Sequence, residues 1–338
     1  MRIKTTALTA IALALSVPLV GAPAMAQAAP AATTAEVDQN SALKAFFDEQ
    51  DKERLARSPL GKSYRGIKDA DYGRWDDYSE AAEARDHDAV QAALKELRTR
   101  FDPDKLSPEN RLSYRLFEKQ AERSIAAFQF SHNDYVFDQM NGAQSQIPAF
   151  LINIHRIDSK ADARAYINRL YGIGTVMTQA IATSKERAAK GVMPPKWVYP
   201  YVISDARNVI TGAPFTDGAD APLFADFKAK VGKLKISDVE KQLLIEEASQ
   251  ALLKGVKPAY ESLITEMSAQ EKVASTDDGV WRFKDGAAYY AERLANYTTT
   301  DMTPEQVHQA GLDQVADISA KLDVILKDAG LTQGSVGE

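Results

Sequence analysis

The sequence predicts an all-α fold, on three observations. Helix-start signals recur along the chain, and apolar residues follow each at three- and four-residue spacing. Strand signals are few. No repeat of fixed period is visible, so a stacked-repeat architecture has no support.

The elements follow in order. Leu43, Phe46, Phe47 and Leu55 give the first helix an apolar stripe. A second spans about 78–100, with Val90, Leu94 and Leu97 on one face. Ser107-Pro108-Glu109 opens a third, carrying Leu112, Leu116, Phe117, Ile125 and Phe128. Ser159-Lys160-Ala161-Asp162 has capping-box spacing, with Asp in place of Glu. It leads into Tyr166, Ile167, Leu170, Ile173, Val176, Met177 and Ile181, and the helix stops near Gly191, with Pro194-Pro195 beyond. Ser237-Asp238-Val239-Glu240 is a full capping box. Its helix carries Leu243, Leu244, Ala251, Leu252, Tyr260, Leu263 and Met267, and Pro258 is expected to kink or split it. Thr303-Pro304-Glu305-Gln306 starts a last helix running to about Lys327.

Three stretches read differently. Residues 280–283 form a candidate short extended segment after the turn Asp277-Asp278-Gly279. Residues 198–203 are β-branched and aromatic but interrupted by Pro200, so their type stays open. The Pro/Gly-rich stretch 211–222 reads as a long loop, either lining a cleft or serving as a solvated connector.

Residues 1–26 have the pattern of a secretory signal. Arg2 and Lys4 form a positive start, residues 7–20 are apolar, and Ala24-Met25-Ala26 is a small-x-small cleavage site. The apolar run is too short to span a bilayer. Cleavage after Ala26 and a periplasmic or secreted location are expected, with export by the general route because no Arg pair is present. Residues 27–40 read as a flexible lead-in, and 41–338 as one helical domain.

The formal net charge is −6, and loss of Arg2 and Lys4 with the signal makes it more acidic. No basic block stands out, so nucleic-acid binding has no electrostatic footprint. No later segment is apolar enough for a membrane span. Zero cysteines exclude disulfides, thiolate nucleophiles and Cys-bound zinc. Stability must then come from the core, for which the length is ample.

Motifs for chemistry are mostly missing. The histidines are His87, His132, His155 and His308, with no pair at i,i+4, so the H-E-x-x-H zinc helix is absent. Glu305-Gln306-Val307-His308 is a single Glu-x-x-His, where a carboxylate-bridged metal pair needs two. Ser41-Ala42-Leu43-Lys44 fits S-x-x-K without its companion motifs, and reads as a cap and a solvated Lys. Neither a G-x-S-x-G elbow nor a Walker loop occurs. Asn296-Tyr297-Thr298 matches a glycosylation sequon by its form alone. Carboxylate pairs such as Asp76-Asp77 and Glu246-Glu247 suit solvated faces and turns. The candidate site residues are Tyr289, Tyr290 and Arg293. On a helix Tyr289 and Arg293 share a face, and a phenol with a guanidinium can hold a carboxylate or polarise a carbonyl. The competing assignment is one core tyrosine and one covered by the arginine.

The run Phe283-Lys284-Asp285-Gly286, Tyr289-Tyr290, Tyr297-Thr298-Thr299-Thr300-Asp301 and Thr303-Pro304-Glu305 through His308 and Gly311 resembles the bacterial family called domain of unknown function 885. Upstream, Gln139-Met140-Asn141-Gly142, Arg169-Leu170, and Arg187 with Gly191 and Pro194-Pro195 fall in the family's order. The resemblance covers nearly all of the chain after the signal and is strongest over 281–311. That family is placed with zinc metallopeptidases of the largely helical oligopeptidase and carboxypeptidase kind. The resemblance implies a longer parent with an H-E-x-x-P-G-H helix in its second half. There, two His and a later Glu would bind zinc, and the Glu after the first His would be general base. None of those positions exists here, so no catalytic or metal residue carries over, and no cofactor is expected in this chain.

The chain is thus expected to be the N-terminal half of a metallopeptidase-like fold, cut before its metal site. Ser335-Val336-Gly337-Glu338 has capping-box spacing, which fits a helix left unwritten. The parent would take peptide substrates, with Tyr289, Tyr290 and Arg293 on one wall of the cleft. A rival reading is a complete, non-catalytic periplasmic helical binding module.

Overall fold

The computed structural model describes residues 34–338, and among them the architecture is all-α with no strand. The signal segment and the expected cleavage after Ala26 lie outside the described residues.

Helices α1 (Thr34–Ala56), α3 (Glu80–Arg100) and α4 (Pro108–Phe128) enclose a small core of Leu43, Phe46, Leu97, Phe101, Leu106 and Tyr114. The short α2 (Pro59–Tyr64) follows α1. Helix α1 already covers part of the stretch expected to be a flexible lead-in. The Asn40 carboxamide oxygen accepts from the Ser107 backbone N–H at 3.0 Å and from Asn110 Nδ2 at 2.6 Å. Those bonds tie the stretch to the start of α4.

The main core lies among α5 (Ala143–Asn153), α6 (Lys160–Ala189), α7 (Val198–Val209), α8 (Pro222–Gly232), α9 (Asp238–Ala251) and α10 (Lys257–Glu271). Helix α6 runs through its middle, with Tyr166, Leu170, Ile173 and Met177 fully enclosed. Its start is capped as expected, Ser159 Oγ accepting from the Asp162 N–H. Past its end Gly191 takes φ +84°, a conformation that favours glycine. The Ser237–Glu240 box is reciprocal. Between α9 and α10 the chain forms a π-helical turn, Leu252–Val256, and so splits just before Pro258. The proline then occupies the first turn of α10, where its missing N–H costs nothing.

The open stretch 198–203 is helical, at the start of α7. Pro200 sits in the first turn, and Val198, Tyr199, Val202 and Ile203 are buried. The expected extended segment at 280–283 is instead a 3-10 turn, Val280–Arg282. An extended segment needs a neighbour for its backbone groups. Here the turn closes its own bond, from the Phe283 N–H to the Val280 carbonyl at 3.0 Å. The stretch 211–221 folds onto the core, where Phe215 is buried, and the N–H groups of Ala213 and Ala221 pair with the carbonyls of Ala219 and Ala213. Leu112 and Leu116 of α4 are exposed; Tyr114, Phe117 and Ala121 face the neighbouring helices instead.

Helices α11 (Gly286–Thr298) and α12 (Pro304–Asp328) complete the chain. Thr303 and Gln306 form the reciprocal box that starts α12. At Ser335–Glu338 the Glu338 carboxylate accepts from the Ser335 N–H at 2.8 Å.

Candidate functional site

Tyr289, Tyr290 and Arg293 lie on α11, and the helix spacing separates them as expected. Tyr289 and Arg293 share a face, the guanidinium carbon standing 5.6 Å from the phenol ring centre. Tyr290 points into solvent.

The shared face meets the loop that follows α4. Tyr289 OH donates to Asp134 Oδ1 at 2.6 Å, and its ring lies 5.8 Å from that of Phe130. Arg293 Nε donates to Glu292 Oε2 at 2.7 Å, and its Nη1 is 4.0 Å from Asp134 Oδ2. Burial pushes the Tyr289 phenol well above its ordinary value, and the hydrogen bond to Asp134 adds to the rise. It stays protonated as a donor and is no base near neutral pH. Burial opposes the Arg293 charge most strongly, but the Glu292 bond and the Glu292 and Asp134 charges together outweigh it and raise the pKa. Both groups are committed to carboxylates of the chain itself.

Asp134 and Glu292 escaped the sequence analysis. Asp134 is brought to α11 across more than 150 positions of chain, which no local spacing signals. Its backbone carbonyl also accepts from Arg187 Nη1 of α6 at 2.8 Å, so the loop at 134 joins α6 to α11. Replacing Tyr289 by Phe removes one partly buried donor. The expected cost is about 1 kcal/mol, read as a lower urea midpoint, while Tyr290→Phe leaves the midpoint unchanged. Equal midpoints for Tyr289→Phe and the parent would show that the bond to Asp134 contributes nothing.

The trio does not line the groove between α3 and α6. That groove encloses about 500 Å³ and is lined by Glu80, Glu83, Asp86, Asn141, Thr183 and Arg187, among others. The zinc implied by the family resemblance finds no fit among the described residues. Among the described residues no group of three or more His, Cys, Asp or Glu is placed to hold a metal ion. Glu305 and His308 are both exposed on α12. No described helix is long and apolar enough to cross a membrane.

A second polar cluster is fully enclosed. Arg169 of α6 donates through Nε to the Arg74 carbonyl at 2.9 Å, through Nη1 to His155 Nδ1 at 2.9 Å, and through Nη2 to Ser63 Oγ at 2.8 Å. Phe150, Tyr72 and Trp75 surround the guanidinium, the nearest ring centre at 4.8 Å. His155 Nε2 is 3.1 Å from the Asp162 carbonyl, so it carries the hydrogen and Nδ1 accepts. The Trp75 indole donates to the Arg169 carbonyl at 2.8 Å. These bonds fasten the segment after α2 to α6, and their burial marks a structural role.

The family model described as bacterial protein of unknown function (DUF885) matches residues 59–338. The chain belongs to the DUF885 family. No curated protein matches the chain. Among solved structures, a Colwellia psychrerythraea protein described as a "putative lipoprotein" is similar with a TM-score of 0.76 and 21% identity. The match covers 88% of this chain and 53% of the Colwellia chain. At that identity the likeness shows the fold alone. This DUF885 chain thus spans about half the length of the solved chain it matches.

Proposed function

We propose that this chain is the N-terminal helical part of a longer exported DUF885 protein, and that the longer protein hydrolyses peptide bonds with zinc-activated water. The observation that carries the first half of this reading is the unequal coverage, 88% of this chain against 53% of the Colwellia chain. The second half rests on the family resemblance given by residues 281–311. Zinc, when bound in the longer protein, would supply the activated water, and its ligands would lie outside this chain. The residues in hand contribute a wall of packed helices, with Tyr290 the member of the candidate trio left free to meet a peptide. The signal pattern supports export with cleavage after Ala26, which N-terminal sequencing of the exported protein checks.

Reading the gene past codon 338 tests the proposal. An H-E-x-x-P-G-H helix within the next few hundred codons is expected. The protein made from that whole reading frame is expected to cleave peptides in a chelator-sensitive way, and residues 27–338 alone are not. Chelator-sensitive cleavage by purified 27–338, or an inactive whole protein lacking the motif, overturns the reading. A complete binding module is the rival, and the uncovered apolar face of α12 counts against it.

A further inference from the structure

Helix α12 is 25 residues long and has no buried residue. Val307, Gly311, Val315, Ile318, Leu322 and Ile325 recur at three- and four-residue steps and so share one face. Val315 is 65% exposed and Ile325 62%. Asp313 lies on the far side of the same helix, accepting from Gln309 Nε2 at 2.8 Å, and the Asp317–Lys321 pair, 2.7 Å apart, borders the face. An amphipathic helix owes most of its stability to packing that face, and an isolated one is marginal in water. Gly311 sharpens the point. Among the described residues nothing lies within 4 Å of where its Cβ would be, so no contact among them calls for a glycine there. A mid-helix glycine costs roughly 0.5–1 kcal/mol against alanine, which a close-packed neighbour would explain.

We propose that this face of α12 is the seam on which the remainder of the longer polypeptide packs. The inference rests on the N-terminal-part reading above. The occupant is argued from the Colwellia chain, where about half the length lies beyond the match and is available to cover such a face. A stripe two to three helical turns deep on either side of Ile318 suits one apolar helix laid along it, with Gly311 allowing close approach at one end.

Hydrogen exchange along α12 tests this, in the whole polypeptide encoded at the locus and in residues 27–338. In the whole polypeptide α12 amides are expected to exchange at least about tenfold more slowly than in 27–338. Ile318→Glu and Leu322→Glu are expected to abolish that protection and leave α6 and α10 amides unchanged, while Asp313→Ala on the far face does nothing. Equal α12 exchange in an active whole polypeptide overturns the seam and leaves the peptidase reading standing. Protection already present in 27–338 that grows with concentration also overturns it, assigning the face to a second copy. An inactive whole polypeptide with protected α12 keeps the seam and sinks the peptidase reading.

Discussion

Arg169→Ala is expected to lower the stability of residues 27–338 by about 4 kcal/mol, enough to leave many molecules unfolded at 37 °C. The guanidinium is wholly enclosed, and its three acceptors are neutral. Truncation leaves the Arg74 carbonyl, Ser63 Oγ and His155 Nδ1 without their donor, at roughly 1–3 kcal/mol for each group left unsatisfied. It also opens a cavity between the rings of Tyr72, Trp75 and Phe150. Arg169→Lys keeps the charge but cannot reach all three acceptors from one planar fork, so its loss is expected to fall between the parent and alanine. Urea unfolding followed by circular dichroism measures both. An alanine variant within about 1 kcal/mol of the parent would mean that water replaces the guanidinium at little cost.

The same cluster sets a pH dependence. Burial, with the Arg169 charge beside it, lowers the His155 pKa from 6.5 to about 3. Lys230 acts in the same direction, and the Asp162 carbonyl and carboxylate oppose it. Between those two values the unfolded chain binds a proton that the folded chain does not. Stability is therefore full above pH 6.5 and falls as pH drops through the window, by up to about 1.4 kcal/mol per unit. His155→Gln offers Arg169 a carbonyl oxygen and cannot titrate, so its stability is expected to change less between pH 6.5 and 5. Parallel curves for parent and variant would place the acid sensitivity elsewhere.

Gly255→Ala is the second large effect, at about 3 kcal/mol. The added Cβ would lie 2.7 Å from the Leu170 carbonyl oxygen and 2.9 Å from Tyr171 Cα. Both are backbone atoms of α6, in the middle of the main core, and neither can swing aside. The π-helical turn Leu252–Val256 must then move off α6 and pull Leu252 and Val256 from the core. Helix propensity alone favours alanine over glycine by roughly 1 kcal/mol, so the sign of the change is itself informative. Gly311→Ala, with open space around it, is the control and is expected to stabilise residues 27–338 slightly. A thermal melt reads both. A Gly255→Ala protein melting at or above the parent temperature would show that the π-helical turn yields without loss.

The parts of the fold legible in the chain are those decided within one helical turn. The Ser107, Ser159, Ser237 and Thr303 caps, the Gly191 stop and the break before Pro258 all depend on residues three or four positions apart. The apolar stripe of α6 was equally plain, because a helix buried on several sides carries many apolar residues. Helix α5 carries no side-chain cap, and its start at Gly142 left no signal to read. The 3-10 turn at 280–282 failed as an extended segment because no strand lies beside it. Of the candidate site, the shared face of Tyr289 and Arg293 followed from spacing, but their engagement with Asp134 and Glu292 did not.

Caps, prolines, charge, the missing cysteines and apolar periodicity were enough for an all-α chain, since each acts locally or on composition. The family order of short motifs added the longer parent as an expectation. Which stripe is buried depends on what packs against it. That is why Leu112 and Leu116 face water, Arg169 and His155 lie enclosed, and α12 presents an apolar face with no partner among the described residues. Those outcomes belong to contacts between residues far apart in the chain, and only the folded arrangement brings them together.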